Sequence, residues 1–119
     1  MDRLKVRSDF LRASAGIRRV TPGVTLELCS ARTQTDGIRV GFTATKKLGN
    51  AVIRNRAKRR LRAVAAAVLP LCGVAGNDYV LVARRDTLTR PFDGLVADLK
   101  AALNGAHEKQ ARTRTEGQQ

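Results

Sequence analysis

Eight of the seventeen residues from Lys46 to Arg62, KKLGNAVIRNRAKRRLR, are basic and none is acidic. Five are arginines, whose planar guanidinium bridges two phosphate oxygens or stacks on a base, and three are lysines, compact point charges. Asn55, set among the arginines, can both donate and accept at a base edge or a sugar. Gly49 either lets the backbone approach a ligand closely or serves as a simple turn residue. The chemistry open to this set is capture of a polyanion. Phosphates are contacted by readers of RNA and of DNA alike, so these residues alone leave that choice open.

Elsewhere the chain offers no apparatus for bond cleavage. The ten acids are spread from Asp2 to Glu116 without a close metal-binding motif, and the only histidine, His107, follows Gly105 at an expected helix end and reads as solvated. Cys29 and Cys72 lie far apart without a CxxC spacing, which is too few ligands for zinc or for a disulfide framework. They read as small apolar residues of a reducing cytoplasm, and no metal or cofactor is expected on the protein. An enzyme working alone is therefore disfavoured. The balance of 23 Lys+Arg against 10 Asp+Glu gives a formal charge of +13 on 119 residues, and 43% hydrophobic content places that charge on a folded body. Nucleic acid is the best-fitting partner. No run approaches the roughly 18 apolar residues of a spanning helix and no apolar leader is visible, so neither membrane insertion nor secretion is expected.

For the cations to act together, one element must present them. Asn50 can cap a helix from Ala51 to about Leu69, stopped by Pro70 and Gly73. Ile53, Ala57, Leu61, Val64 and Val68 recur at helical spacing and form its core-facing stripe, which leaves Arg54, Arg56, Lys58, Arg59, Arg60 and Arg62 over most of the remaining surface. Like charges at i,i+3 and i,i+4 there cost about 0.2 to 0.5 kcal/mol per pair in an isolated helix. Arg54 and Arg56 also sit near the positive end of the helix dipole. A polyanion would relieve both penalties.

Around this helix the chain reads as an α+β fold, a small sandwich of a three- to four-stranded sheet with about three helices. Ser8 is a candidate cap for a short helix from Asp9 to Ala15, closed by Gly16 in a left-handed conformation. Val24 to Cys29 alternates apolar and polar residues as a half-buried strand does. A turn over Gln34 to Gly37 would join it to a second strand, Ile38 to Thr45, as an antiparallel hairpin. Tyr79 to Ala83 is a continuous apolar run, expected of a strand buried on both faces, and strand, basic helix and strand form a βαβ unit. A last helix from near Thr89 to about Asn104, with Pro91 in its first turn, buries Phe92, Leu95, Val96, Leu99 and Leu103. One domain is expected over residues 1–105, followed by a disordered polar tail over 106–119.

The stretch from Lys46 to Arg62, with Arg54-Asn55-Arg56 at its centre, closely resembles the Arg-Asn-Arg motif of the protein subunit of bacterial ribonuclease P. An early helix bearing Asp9-Phe10, the two strands, the apolar strand ending in Ala83-Arg84 and a last amphipathic helix follow in that family's order over residues 8 to about 104. The resemblance implies a cytoplasmic partner of a catalytic RNA that removes 5′ leaders from precursor tRNA, with the magnesium ions and the cleavage chemistry in the RNA. It also implies a βαβ crossover of the rare left-handed kind, where the general rule would give a right-handed one. Carried over by position, Lys46, Lys47, Gly49, Asn50, Arg54, Asn55, Arg56, Lys58, Arg59, Arg60 and Arg62 are the expected RNA contacts. Phe10, Leu26 and Leu28 are the expected lining of a cleft for the single-stranded leader. The chain departs from the family where Ser14, Val24 and Glu27 stand at positions that often carry aromatics. The competing class is a structural RNA-binding protein such as a ribosomal protein; a DNA-binding helix fits least, since no helix-turn-helix spacing precedes the basic run.

Overall fold

The computed structural model describes residues 1–31 and 37–117, with the backbone alone for 114–117. Five strands form one sheet: β1 (Asp2–Arg3), β2 (Ile17–Val20), β3 (Val24–Ser30), β4 (Arg39–Thr43) and β5 (Asn77–Ala83), in the spatial order β1-β4-β5-β3-β2. The helices are α1 (Arg7–Ser14), α2 (Ala51–Cys72) and α3 (Phe92–Gly117), with short 3-10 turns over Lys46–Leu48 and Arg85–Leu88.

The expected hairpin does not form. β3 pairs antiparallel with β5, and β5 pairs parallel with β4, so β5 lies between the two strands that follow each other in sequence. The reason lies in β5 itself, whose residues from Asn77 to Leu81 are all buried and whose apolar side chains need cover on both faces. An edge position would leave that run half paired. Gly76, at φ 88°, turns the chain into β5 between the ends of its neighbours: Ala31 N–H donates to its carbonyl at 2.8 Å, and its own N–H reaches the Gly37 carbonyl at 3.0 Å. Of the expected turn at 34–37, only Gly37 is among the described residues. β4, α2 and β5 do make the expected parallel βαβ unit.

One face of the sheet presents Val24, Leu26, Leu28, Val40, Phe42, Tyr79 and Leu81 to Leu61, Val64, Val68, Leu69, Leu95, Leu99 and Leu103 of α2 and α3. The other face carries a smaller cluster, Leu4, Ala13 and Val80 with Phe10, Cys29 and Val82, under α1 alone. β1 and β2 exceed the expected strand count. β2 is an edge strand, and its Arg18-Arg19 pair breaks the apolar alternation that would have revealed it.

Three helix boundaries differ from expectation. α1 begins after Val6, with Ser8 inside the helix and no side-chain cap. Gly16 has no positive φ; a Cβ there would collide with the Leu28 carbonyl, so close packing of the chain onto β3 accounts for the glycine. α2 runs through Pro70 to Cys72. Pro70 is exposed in the last turn, where only one bond is lost and the Gly73 N–H still closes on the Leu69 carbonyl at 2.8 Å.

Where a disordered tail and a solvated histidine were expected, α3 continues past Gly105 to Gly117; residues 118–119 of that tail lie outside the described residues. Ala106 is fully buried and extends the stripe of Leu95, Leu99, Ala102 and Leu103. Beyond it, polar partners take over. The Tyr79 hydroxyl accepts from Val74 N–H at 2.9 Å and from Asn77 Nδ2 at 3.2 Å, so its proton points to His107 Nε2, 2.6 Å away. Asn77 and Gln110 exchange amide bonds of 3.1 and 2.9 Å. A helix that docks through amides and a phenol shows no apolar periodicity.

Candidate nucleic-acid interface

Gly49, at φ 152° in the region that favours glycine, ends the 3-10 turn of Lys46–Leu48 and delivers the chain to α2. Asn50 caps that helix as expected, its Oδ1 accepting from Ile53 N–H at 3.0 Å. Ala57, Leu61, Val64 and Val68 are buried and Ile53 is half-buried, which rotates the cations outward. Asn55, Arg56, Arg59 and Arg62 are exposed and Arg54 and Lys58 half-buried, while Lys46 and Lys47 stand exposed at the helix start. Among the described residues no carboxylate forms an ion pair with any of these cations.

Arg60 is different. Its Nη1 donates to the carbonyls of Thr87 and Leu88 at 3.0 and 2.9 Å, and its Nη2 to that of Arg90 at 2.5 Å. These carbonyls belong to the segment leading into α3, so this guanidinium holds that segment against α2. Arg60, expected with the others as an RNA contact, thus has Nη1 and Nη2 engaged within the fold.

A second surface lies on the opposite face of the sheet. The Phe10 ring of α1 rests on β4 where Gly41 stands; a Cβ at Gly41 would come within 2.5 Å of Phe10 Cε1. An eight-residue helix cannot hold itself together, and here a charge network ties it down. Arg39 Nε and Nη2 donate to the fully buried Asp78 at 2.8 and 2.7 Å, and Arg39 also lies 3.4 Å from Asp9 of α1. Arg12 of α1 reaches Asp9 at 3.4 Å and Asp78 at 3.6 Å. The hydrogen bond to Asp78 raises the Arg39 pKa further and keeps the guanidinium charged.

Leu26 and Leu28 are fully buried and face α2 and α3, so they do not line a cleft on the α1 side. Strand alternation puts Thr25, Glu27 and Cys29 there instead, and β2 adds Arg18 opposite Glu27 and Val20 opposite Thr25. At the end of this face a groove of about 340 Å3 opens between Arg18, Val20, Thr25 and Val82 of the sheet and Lys47, Arg84 and Arg85. Its cations come from three separate segments. Burial raises the pKa of Glu27, and Arg18 opposes that shift. Burial likewise pushes up the Cys29 thiol, which keeps it protonated and poorly nucleophilic.

The family model for Ribonuclease P matches residues 1–107. The chain belongs to the ribonuclease P protein family. The Ribonuclease P protein component of Paramagnetospirillum magneticum is 50% identical over 115 residues, covering 92% of this chain and 86% of the relative. That of Ruegeria pomeroyi is 54% identical over 107 residues, covering 87% and 85%. Among solved structures, the Staphylococcus aureus RNase P protein superposes with a TM-score of 0.72 at 26% identity, covering 89% of this chain and 95% of that one. The Thermotoga maritima RNase P protein shares the fold with a TM-score of 0.70 at 23% identity, covering 89% and 96%. As a ribonuclease P protein component, the chain is a subunit of the tRNA-processing ribonucleoprotein enzyme, with an RNA partner. No helix among the described residues is long and apolar enough to cross a membrane.

Arg54, Asn55, Arg56, Lys58, Arg59, Arg60 and Arg62 all lie on α2, Arg60 with its guanidinium turned to the lead-in to α3. The groove residues Arg18, Thr25, Arg84 and Arg85 were not among the expected site residues. The signal that could have found Arg84 and Arg85 was their position directly after the apolar strand, where the chain leaves the sheet.

Proposed function

We propose that α2 binds the catalytic RNA of ribonuclease P through Arg54, Asn55, Arg56, Lys58, Arg59 and Arg62, with Lys46, Lys47 and the Gly49 turn at its start. The 5′ leader of precursor tRNA lies on the α1 face of the sheet, from Phe10 to the groove of Arg18, Lys47, Arg84 and Arg85. The observation that carries this reading is a row of cations on α2 unpaired with any acid among the described residues, continued by Lys47 into a groove whose floor is apolar and hydroxylic. Phosphates would discharge the repulsion along α2, and unpaired bases would meet Phe10, Val20 and Val82.

The protein in this reading positions RNA in the cytoplasm, while cleavage and its magnesium ions belong to the RNA subunit. Neutralising phosphates where leader and catalytic RNA meet lowers the need for free cations. The test is reconstitution with the cognate RNA. The protein should lower the magnesium concentration needed to cleave precursor tRNA and should release no leader without the RNA. Specific cleavage by the purified chain alone would refute this division of labour.

A further inference from the structure

Arg56, Arg59, Arg60 and Ala63 follow one another at helical spacing, so they form a single stripe along α2. Phe92, the first residue of α3, lies beside that stripe, and these five residues line an open pocket of about 350 Å3. The pocket lies on the helical layer, whereas the leader groove is on the far side of the sheet.

Three features bear on its occupant. Phe92 was expected in the core, yet it leaves 43% of its surface exposed. The backbone that leads to Phe92 is also fixed before any ligand arrives. Arg60 clamps the carbonyls of Thr87, Leu88 and Arg90, which fixes the lead-in to α3 against α2, so little ordering remains to oppose binding. Finally, Arg56 and Arg59 at the rim are exposed and without a carboxylate partner among the described residues. An apolar aromatic wall under a cationic rim matches a group that carries a flat π face and a negative charge together.

We propose that this pocket takes an unpaired RNA nucleobase, stacked on Phe92, with its flanking phosphates on Arg56 and Arg59. The proposal rests on the reading of α2 as the RNA-binding helix and adds to it a base-binding point. Stacking on an aromatic side chain tolerates any base, so the site would recognise a bulged or looped nucleotide by its availability rather than its identity.

The chain contains no tryptophan, so Phe92→Trp places a sole indole fluorophore in the pocket. The full-length variant is titrated with a single-stranded adenosine oligonucleotide of about twelve nucleotides and, separately, with inorganic polyphosphate of similar charge. The oligonucleotide should quench the emission, and polyphosphate should bind without quenching. In parallel, Phe92→Leu should weaken oligonucleotide affinity by about 5- to 150-fold, leave polyphosphate affinity unchanged and keep the melting temperature. Binding of both polyanions with no selective quenching, or with unchanged affinity in Phe92→Leu, would overturn the proposal while leaving the role of α2 intact. Failure of both polyanions to bind would overturn the role of α2 and the proposal with it.

Discussion

Replacing Arg60 by alanine should unfold the protein more readily without touching its salt-dependent grip on RNA, and replacing its neighbour Arg56 should do the reverse. Arg60 makes three charge-assisted bonds to main-chain carbonyls at 3.0, 2.9 and 2.5 Å. Each such bond contributes about 1.5 to 3 kcal/mol when its loss strands a buried partner. Arg60 is half-buried and water can replace it at some of these carbonyls, so the whole loss falls to about 2 to 4 kcal/mol, less about 0.2 to 0.5 kcal/mol recovered from repulsion with Arg56. For a chain of 119 residues this corresponds to a fall in melting temperature of about 6 to 15 °C. Arg60→Lys should recover only part of it, because an ammonium cannot fork between carbonyls. Arg56→Ala should keep the melting temperature and flatten the log–log dependence of RNA affinity on salt by about 0.7 to 0.9. Circular dichroism melts and filter binding over a salt series read both quantities. If Arg60→Ala melts like the parent and loses one unit of slope, Arg60 is an RNA ligand and the assignment to the fold is wrong.

Phe10→Leu keeps apolar volume and removes the flat ring, so affinity for precursor tRNA with a leader should fall by about 1 to 3 kcal/mol. Mature tRNA binding should stay unchanged and stability should drop by less than about 1.5 kcal/mol; equal losses for both RNAs in a binding titration would make the ring a packing residue only. Truncation after Gly105 removes the buried Ala106 and leaves the Tyr79 hydroxyl without His107, so a thermal melt should shift down by about 4 to 12 °C. An unchanged melt would show that the end of α3 contributes nothing. Burial lowers the His107 pKa from its ordinary 6.5, so below pH 6.5 the unfolded chain takes up its proton before the folded one. Stability from this contact is therefore complete above that value and lost as pH falls beneath it; denaturation curves of His107→Gln should show a weaker decline there, and an unaltered decline would remove the histidine from the account.

Local physics made α2 readable: its asparagine cap, its stripe and its unpaired cations all lie within one continuous segment. β5 was readable as a doubly buried strand for the same reason. What escaped depends on contacts between distant segments. Arg56 and Arg60 are equivalent in a helical pattern, and only the carbonyls of the lead-in to α3 distinguish them. Alternation along β3 separates Leu26 and Leu28 from Thr25 and Glu27, but which set meets α1 is decided by the layer each helix joins. The strand order depends on β5 returning between β3 and β4. The turns of α3 that carry His107 and Gln110 dock on Tyr79 and Asn77, whose polarity gives no apolar signal.

The division of labour between the two surfaces is tested most directly by placing a photoreactive nucleotide in the leader of precursor tRNA and mapping its crosslink on the protein in the reconstituted holoenzyme. The leader should attach to the α1 face of the sheet, at Phe10, Val20, Thr25 or Val82, and a label in the catalytic RNA should attach to α2. A leader crosslink confined to Arg54 through Arg62, with the sheet face unlabelled, would contradict the account.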